Sequence, residues 1–234
     1  MTPAPRAPLP SLVAVTIRRA VMAGRLYLAL GTALALLLAL VLLRSKNGVF
    51  AATFPLELPL FASLGAMGGL MLFVSDRGKG VLEYMIAYGI RPWSLFANFL
   101  FAAVALATLV LGSALLVGIG AFLAAGNTLT WDLEQSLLLY SIPMTYAGVL
   151  FSSVAGMIWS TLSTPRAGLN SPAGVAPLLA VAPPVLVLVI AEAAPRAEYY
   201  DITASAAAAF LVVVVALLVA AGRLMGRERF LSPT

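Results

Sequence analysis

Long apolar runs follow one another along the chain, separated by short polar breaks. They are Leu26–Leu43, Phe54–Val74, Ser94–Ala124, Leu137–Trp159, Ala173–Ala191 and Ile202–Ala221. A helix rises about 1.5 Å per residue and the hydrocarbon core of a bilayer is about 30 Å thick, so roughly 20 apolar residues cross it. The pattern therefore predicts an all-α, polytopic membrane protein of about six transmembrane helices. The third run exceeds the required length and is expected to tilt or break. The fifth carries Pro177, Pro183 and Pro184, which remove backbone donors, and predicts a broken or partly re-entrant segment.

Ahead of the first run, Ser11–Arg25 places Leu12, Val13, Val15, Ile17, Val21 and Met22 among Arg18, Arg19 and Arg25 at a roughly helical period. This predicts an amphipathic helix lying in the membrane interface. A cleaved signal peptide is a second reading, but the run from Leu26 is already of span length and no small-x-small cleavage site follows it. The expected organisation is a tail and interfacial helix over 1–25, a membrane domain over 26–221 and a tail over 222–234.

Composition agrees with a lipid environment. The 234 residues are 62% hydrophobic and only 10% charged, where a soluble domain carries roughly a quarter charged residues. The absence of Cys and His excludes disulfides, thiol nucleophiles, histidine acid/base chemistry and the usual zinc ligand sets. The net charge of +5 comes from basic residues scattered at run ends, without a basic stripe interleaved with aromatics, so nucleic acid is not an expected partner. Those residues read as topology signals. With the N-terminus inside, Arg44, Lys46 and Arg196 fall outside and the other 11 of the 14 basic residues inside. Both termini are then expected in the cytoplasm, with the protein in the plasma (cytoplasmic) membrane. Trp93, Trp131, Trp159, Tyr140, Tyr199 and Tyr200 fall near run ends, as interfacial anchors do.

The most informative polar segment lies between the second and third runs, Ser75 to Pro92. Gly78 and Gly80 permit a sharp exit from the second span, Val81–Tyr88 makes about two helical turns, Gly89 suits a C-terminal cap and Pro92 the first turn of the next helix. The result is a short helix on the cytoplasmic face, with Leu82, Met85 and Ile86 on one side, suited to docking a soluble partner. An ordinary positive-inside loop fits the same composition.

This segment resembles the coupling helix of six-span type-2 ATP-binding-cassette (ABC) export permeases, whose pattern is acidic-x-acidic-x-Gly-Thr-Leu-Glu, then an apolar pair and a Pro. Asp76 matches the first acid, Gly80 the Gly, Leu82 the Leu and Glu83 the last acid, with Met85 and Ile86 as the apolar pair. Gly78, Val81 and Gly89 depart from the second acid, the Thr and the Pro. The resemblance implies a permease subunit that forms the translocation pathway, pairs with a second permease copy or a related permease, and couples to two separate ABC-type ATPase subunits holding ATP and Mg. It also implies that Asp76, Gly80, Leu82, Glu83, Met85 and Ile86 serve partner coupling, with Glu83 accepting hydrogen bonds from a partner or from its own helix's amides. No catalytic, cofactor or metal residue is assigned to this chain, and Gly78-Lys79-Gly80 is not a Walker-type loop because no Ser or Thr follows it.

Two other classes compete. An ion-coupled carrier or channel usually carries intramembrane ionisable groups, and only Glu57 and Glu192, both near run ends, qualify. A membrane scaffold without transport needs no such groups. Gly65-Ala66-Met67-Gly68-Gly69 offers a small-x-x-x-small pair, and Ser152, Ser153, Gly156, Ser160 and Thr161 make the fourth run small and weakly polar. Both are read first as helix packing. So few polar groups along the runs favour an apolar or amphipathic cargo.

Overall fold

The computed structural model describes residues 9–44, 49–128, 141–162 and 196–225, together with Leu186 and Val189. Among these residues there are seven helices and no strand: α1 (Leu9–Ala23), α2 (Arg25–Arg44), α3 (Val49–Gly78), α4 (Val81–Ala87), α5 (Pro92–Ala124), α6 (Ile142–Leu162) and α7 (Arg196–Met225). Among the described residues, four stretches are each long and apolar enough to cross a membrane: Leu58–Gly78, Pro92–Ala124, Ile142–Leu162 and Ala204–Arg223. Helices α1 and α2 meet at Gly24 with a bend of 70°, and count as a fifth crossing if taken as one broken span. Apart from Leu186 and Val189, the apolar run at 173–191, with its three prolines, lies outside the described residues, as do Trp131, Tyr140 and Glu192. The long third run is continuous, not broken: α5 holds 33 residues, roughly 50 Å at about 1.5 Å per residue.

Helix α3 is the centre of the bundle. Its span is 78% buried, against 11% for the span in α7, and it packs on α5 most extensively, then on α6, α2 and α1. The seam with α5 is built on small residues one turn apart. Gly65 faces Leu106 and Ala107, and Gly69 faces Ala103; a Cβ at Gly65 would stand 2.6 Å from the Ala107 Cα, and one at Gly69 2.6 Å from the Ala103 N. Those distances are below what a real Cβ contact permits, so only glycine lets the backbones come this close. The small-x-x-x-small pair in this run thus packs within the chain. On another flank, a Cβ at Gly24 would lie 2.5 Å from the Gly68 Cα, which sets the bent junction of α1 and α2 directly on α3.

Larger side chains fill the space above and below these contacts. One cluster holds Leu58, Phe61, Ala66, Val110 and Val149; the other holds Leu70, Phe73, Phe96, Phe99, Met157 and Val214. Phe73 and Phe99 meet edge to face at 5.3 Å, an arrangement favoured by the ring quadrupoles. The weakly polar face of α6 is buried too: Thr145, Ser152 and Ser153 are fully covered, and their hydroxyls have no hydrogen-bond partner among the described residues. Apolar side chains left outside are most numerous on α2, α5 and α7, among them Leu26, Leu36, Leu116, Val212 and Val215. Such exposure is costly in water and ordinary against lipid.

Glycine's role in the seam has a measurable consequence. Gly65→Val and Gly69→Val should each destabilise the bundle by about 1–3 kcal/mol or more, the range for overpacking a tight core. Gly112→Ala, where a Cβ meets nothing within 4 Å, should be neutral or stabilising. Thermal unfolding in a fixed detergent orders the three variants.

Candidate functional site

The segment between α3 and α5 is shaped by two left-handed glycines. Gly80, at φ +70°, ends α3 by donating its N–H to the Arg77 carbonyl at 3.0 Å. It also starts α4, its own carbonyl accepting from the Tyr84 N–H at 3.1 Å. At the other end Gly89 has φ +85°. The Gly89 N–H donates to the Ile86 carbonyl at 2.9 Å and the Ile90 N–H to the Met85 carbonyl at 3.2 Å, the paired bonds of a Schellman cap. Arg91 is extended, as a residue before proline must be, and Pro92 opens α5 where no N–H is needed. A seven-residue helix is thereby set between two spans with almost no slack.

Two adjacent residues in the last turn of α3 fasten it in different directions. Asp76 accepts from the Arg19 guanidinium of α1 at 2.6 Å, 57 residues away in sequence. The Asp76 side chain is 2% exposed and that of Arg19 40%, so the acid belongs to the interior and the base to the rim. The second carboxylate oxygen of Asp76 is buried with no partner among the described residues. Arg77 donates to the Thr161 carbonyl at 2.8 Å, 84 residues away, and so satisfies a backbone group in the last turn of α6. A cation at that position also complements the negative end of the α6 dipole.

The six residues singled out from the sequence occupy different environments. Asp76 and Leu82 are buried, Leu82 joining the cluster of Phe73, Phe96 and Phe99. Glu83, Met85 and Ile86 are half-buried and Gly80 is exposed. Glu83 stands in the first turn of α4 but makes no capping bond; its Oε2 is buried and, among the described residues, has no hydrogen-bond partner, within Coulombic reach of Arg77. The amides of its own helix are therefore not what it holds. The outer face of α4 is aromatic. Tyr84 and Tyr88 are 62% and 70% exposed, with ring centroids 4.5 Å apart. The hydrogen bond to Tyr88 raises the Tyr84 hydroxyl above its usual pKa of 10.0.

Arg19, Arg77 and Thr161 carry no sequence signal beyond charge or small-residue packing, and nothing in their local spacing links them to Asp76 or to each other. The exposed tyrosines had a readable signal, an i, i+4 aromatic pair on the predicted helix. Comparison with protein-family models, curated proteins and solved structures finds no match to this chain.

The unequal burial of the Arg19–Asp76 pair makes an asymmetric prediction. Arg19→Ala strands a buried carboxylate and should cost about 1–3 kcal/mol. Adding Asp76→Asn to Arg19→Ala removes the stranded charge and should recover a large part of that loss. Chemical denaturation of the single and double variants reads the difference; equal stability of both would place the pair among the indifferent surface contacts.

Proposed function

We propose that the chain is the membrane-spanning permease subunit of an ATP-driven exporter of the type-2 ABC plan, with α4 as the element on which separate ATPase subunits act. One observation carries this reading. A seven-residue helix sits between two candidate spans, anchored inward by Leu82 and presenting Tyr84 and Tyr88 outward. An isolated short helix has little stability of its own, so its retention here is best explained by a surface it presents.

The geometry supports a mechanical account. A push on α4 passes to α3 through Gly80 and to α5 through the cap at Gly89. It passes also to α1 through Arg19–Asp76 and to α6 through Arg77–Thr161. Four helix ends would respond together when partner subunits close on ATP, which is the rigid-body rocking an alternating-access pathway needs. Asp76 and Leu82 then work by positioning α4, while Glu83, Met85, Ile86 and the two tyrosines meet the partner. Glu83 Oε2, buried and without a hydrogen-bond partner among the described residues, would accept from a cationic or amide donor of that partner once the closing contact uncovers it.

The full reading includes six spans, the sixth supplied by the run at 173–191. Both termini and α4 lie in the cytoplasm, and a second permease copy or a related permease completes the pathway. Two ATPase subunits contribute ATP and Mg. This chain contributes no catalytic residue, and an apolar or amphipathic cargo such as a lipid, drug or hydrophobic peptide suits spans so poor in polar groups.

Two measurements test it. Because the chain has no native cysteine, Lys79→Cys should label with a membrane-impermeant thiol reagent only from the cytoplasmic side. Labelling from outside would overturn both the orientation and the role of α4. Wild-type protein should also co-purify with an ABC-type ATPase whose hydrolysis it stimulates. Glu83→Lys, and more so Glu83→Lys with Tyr84→Ala, should insert normally yet lose that association about tenfold or more, as expected when a buried polar contact is replaced by like-charge repulsion. Normal assembly and stimulation by these variants would favour a carrier or a scaffold instead.

A further inference from the structure

The face of α1 turned away from the bundle combines chemistry that water does not favour. Val15, Arg18 and Met22 share it at i, i+3 and i+7, and Val15 and Met22 are 57% and 64% exposed. The opposite face is closed on the bundle by Ile17, Ala20 and Gly24. Where α1 crosses α3, Arg18, Arg19, Met22 and Leu72 line an open cleft of about 230 Å³. Two guanidinium-bearing side chains thus border one cleft whose remaining walls are apolar.

The charges facing the cleft can be counted. Arg19 is committed to Asp76, so that pair is neutral. Arg18 makes no ion pair among the described residues, which leaves one uncompensated positive charge. The 70° bend at Gly24 sets α1 nearly perpendicular to α2. If α2 runs across the bilayer, α1 runs close to its surface, at the depth where phosphates meet the first methylenes.

We propose that this cleft binds the phosphate of an anionic phospholipid, with Arg18 as its principal ligand, the free edge of the Arg19 guanidinium as the second, and the glycerol and upper acyl region lying on Met22 and Leu72. A single phosphodiester charge neutralises the one charge in excess. A zwitterionic choline headgroup would bring a cation back against Arg18, so selection favours lipids whose headgroup is anionic overall. A bound lipid would also press α1 onto α3 beside Asp76, strengthening the contact on which the last turn of α3 depends. The proposal rests on the chain being embedded in a membrane and not on its being an exporter.

The test is lipid retention by the delipidated full-length chain, read by native mass spectrometry after incubation with mixed micelles of phosphatidylglycerol and phosphatidylcholine in equal amounts. Wild type should retain phosphatidylglycerol preferentially. Arg18→Gln should reduce that preference about fivefold, the effect expected of one basic residue at an anionic surface, and Arg18→Lys should keep part of it. Arg25→Gln removes the same charge two residues beyond Ala23 but does not border the cleft, and should leave the preference unchanged. Equal losses in Arg18→Gln and Arg25→Gln would reduce the effect to diffuse surface charge and overturn the site. Displacement of the lipid by millimolar inorganic phosphate would assign the cleft to free phosphate and overturn the lipid reading. Neither ATP hydrolysis nor transport enters the measurement, so failure of the exporter reading leaves it standing, and its own failure leaves that reading untouched.

Discussion

How closely other helices can approach α3 governs the rest of this structure. Lipid tails are as apolar as leucine, so burying apolar surface gives helices in a bilayer little reason to prefer one another, and close van der Waals packing takes over. Helix α3 meets the demand with Gly65 and Gly69 against α5 and Gly68 against α1. The polar contacts follow from that approach. Arg19 reaches Asp76 because Gly24 and Gly68 bring α1 and α3 into backbone contact two turns away. With larger residues at those positions, the ion pair would have to span a gap.

Asp76 and Arg77 are neighbours in sequence, about 100° apart around the helix, and so reach different elements. The acid goes to α1 and the base to α6. Their chemistry suits their surroundings. Asp76 is nearly sealed and is compensated by a base at the rim, whereas Arg77 spends a donor on a helix-end carbonyl that would otherwise lack a partner. The last turn of α3 is therefore a meeting point of three helices just before the chain turns into α4.

Much of this was legible from the pattern of residues, and the reason is local. Apolar runs long enough to cross a bilayer mark helices regardless of what they pack against, which is why α2, α3, α5, α6 and α7 coincide with expected runs. Gly80, Gly89 and Pro92 announce the turns around α4 because their backbone preferences act within one or two residues. What escaped reading was long-range. No spacing rule joins Arg19 to Asp76 or Arg77 to Thr161, since those contacts exist only once α1 and α6 are laid on α3. Burial divided the coupling segment in a way that composition could not express: Leu82 and Met85 look alike in sequence, yet one is sealed in the core and the other half-open.

The join at Gly80 carries a further consequence. Only Lys79 and Gly80 separate α3 from α4, so the azimuth of the short helix is indexed to that of the long one. One residue added or removed at the join would displace α4 relative to α3, since a two-residue turn with its left-handed glycine has no slack to absorb the change. Leu82 would swing out of the bundle and the tyrosine edge would move off its present bearing. The number of residues leading to the outer face is therefore constrained independently of which residues that face carries. In this region chain length acts as a structural parameter in its own right, and a single insertion would do what no single substitution can.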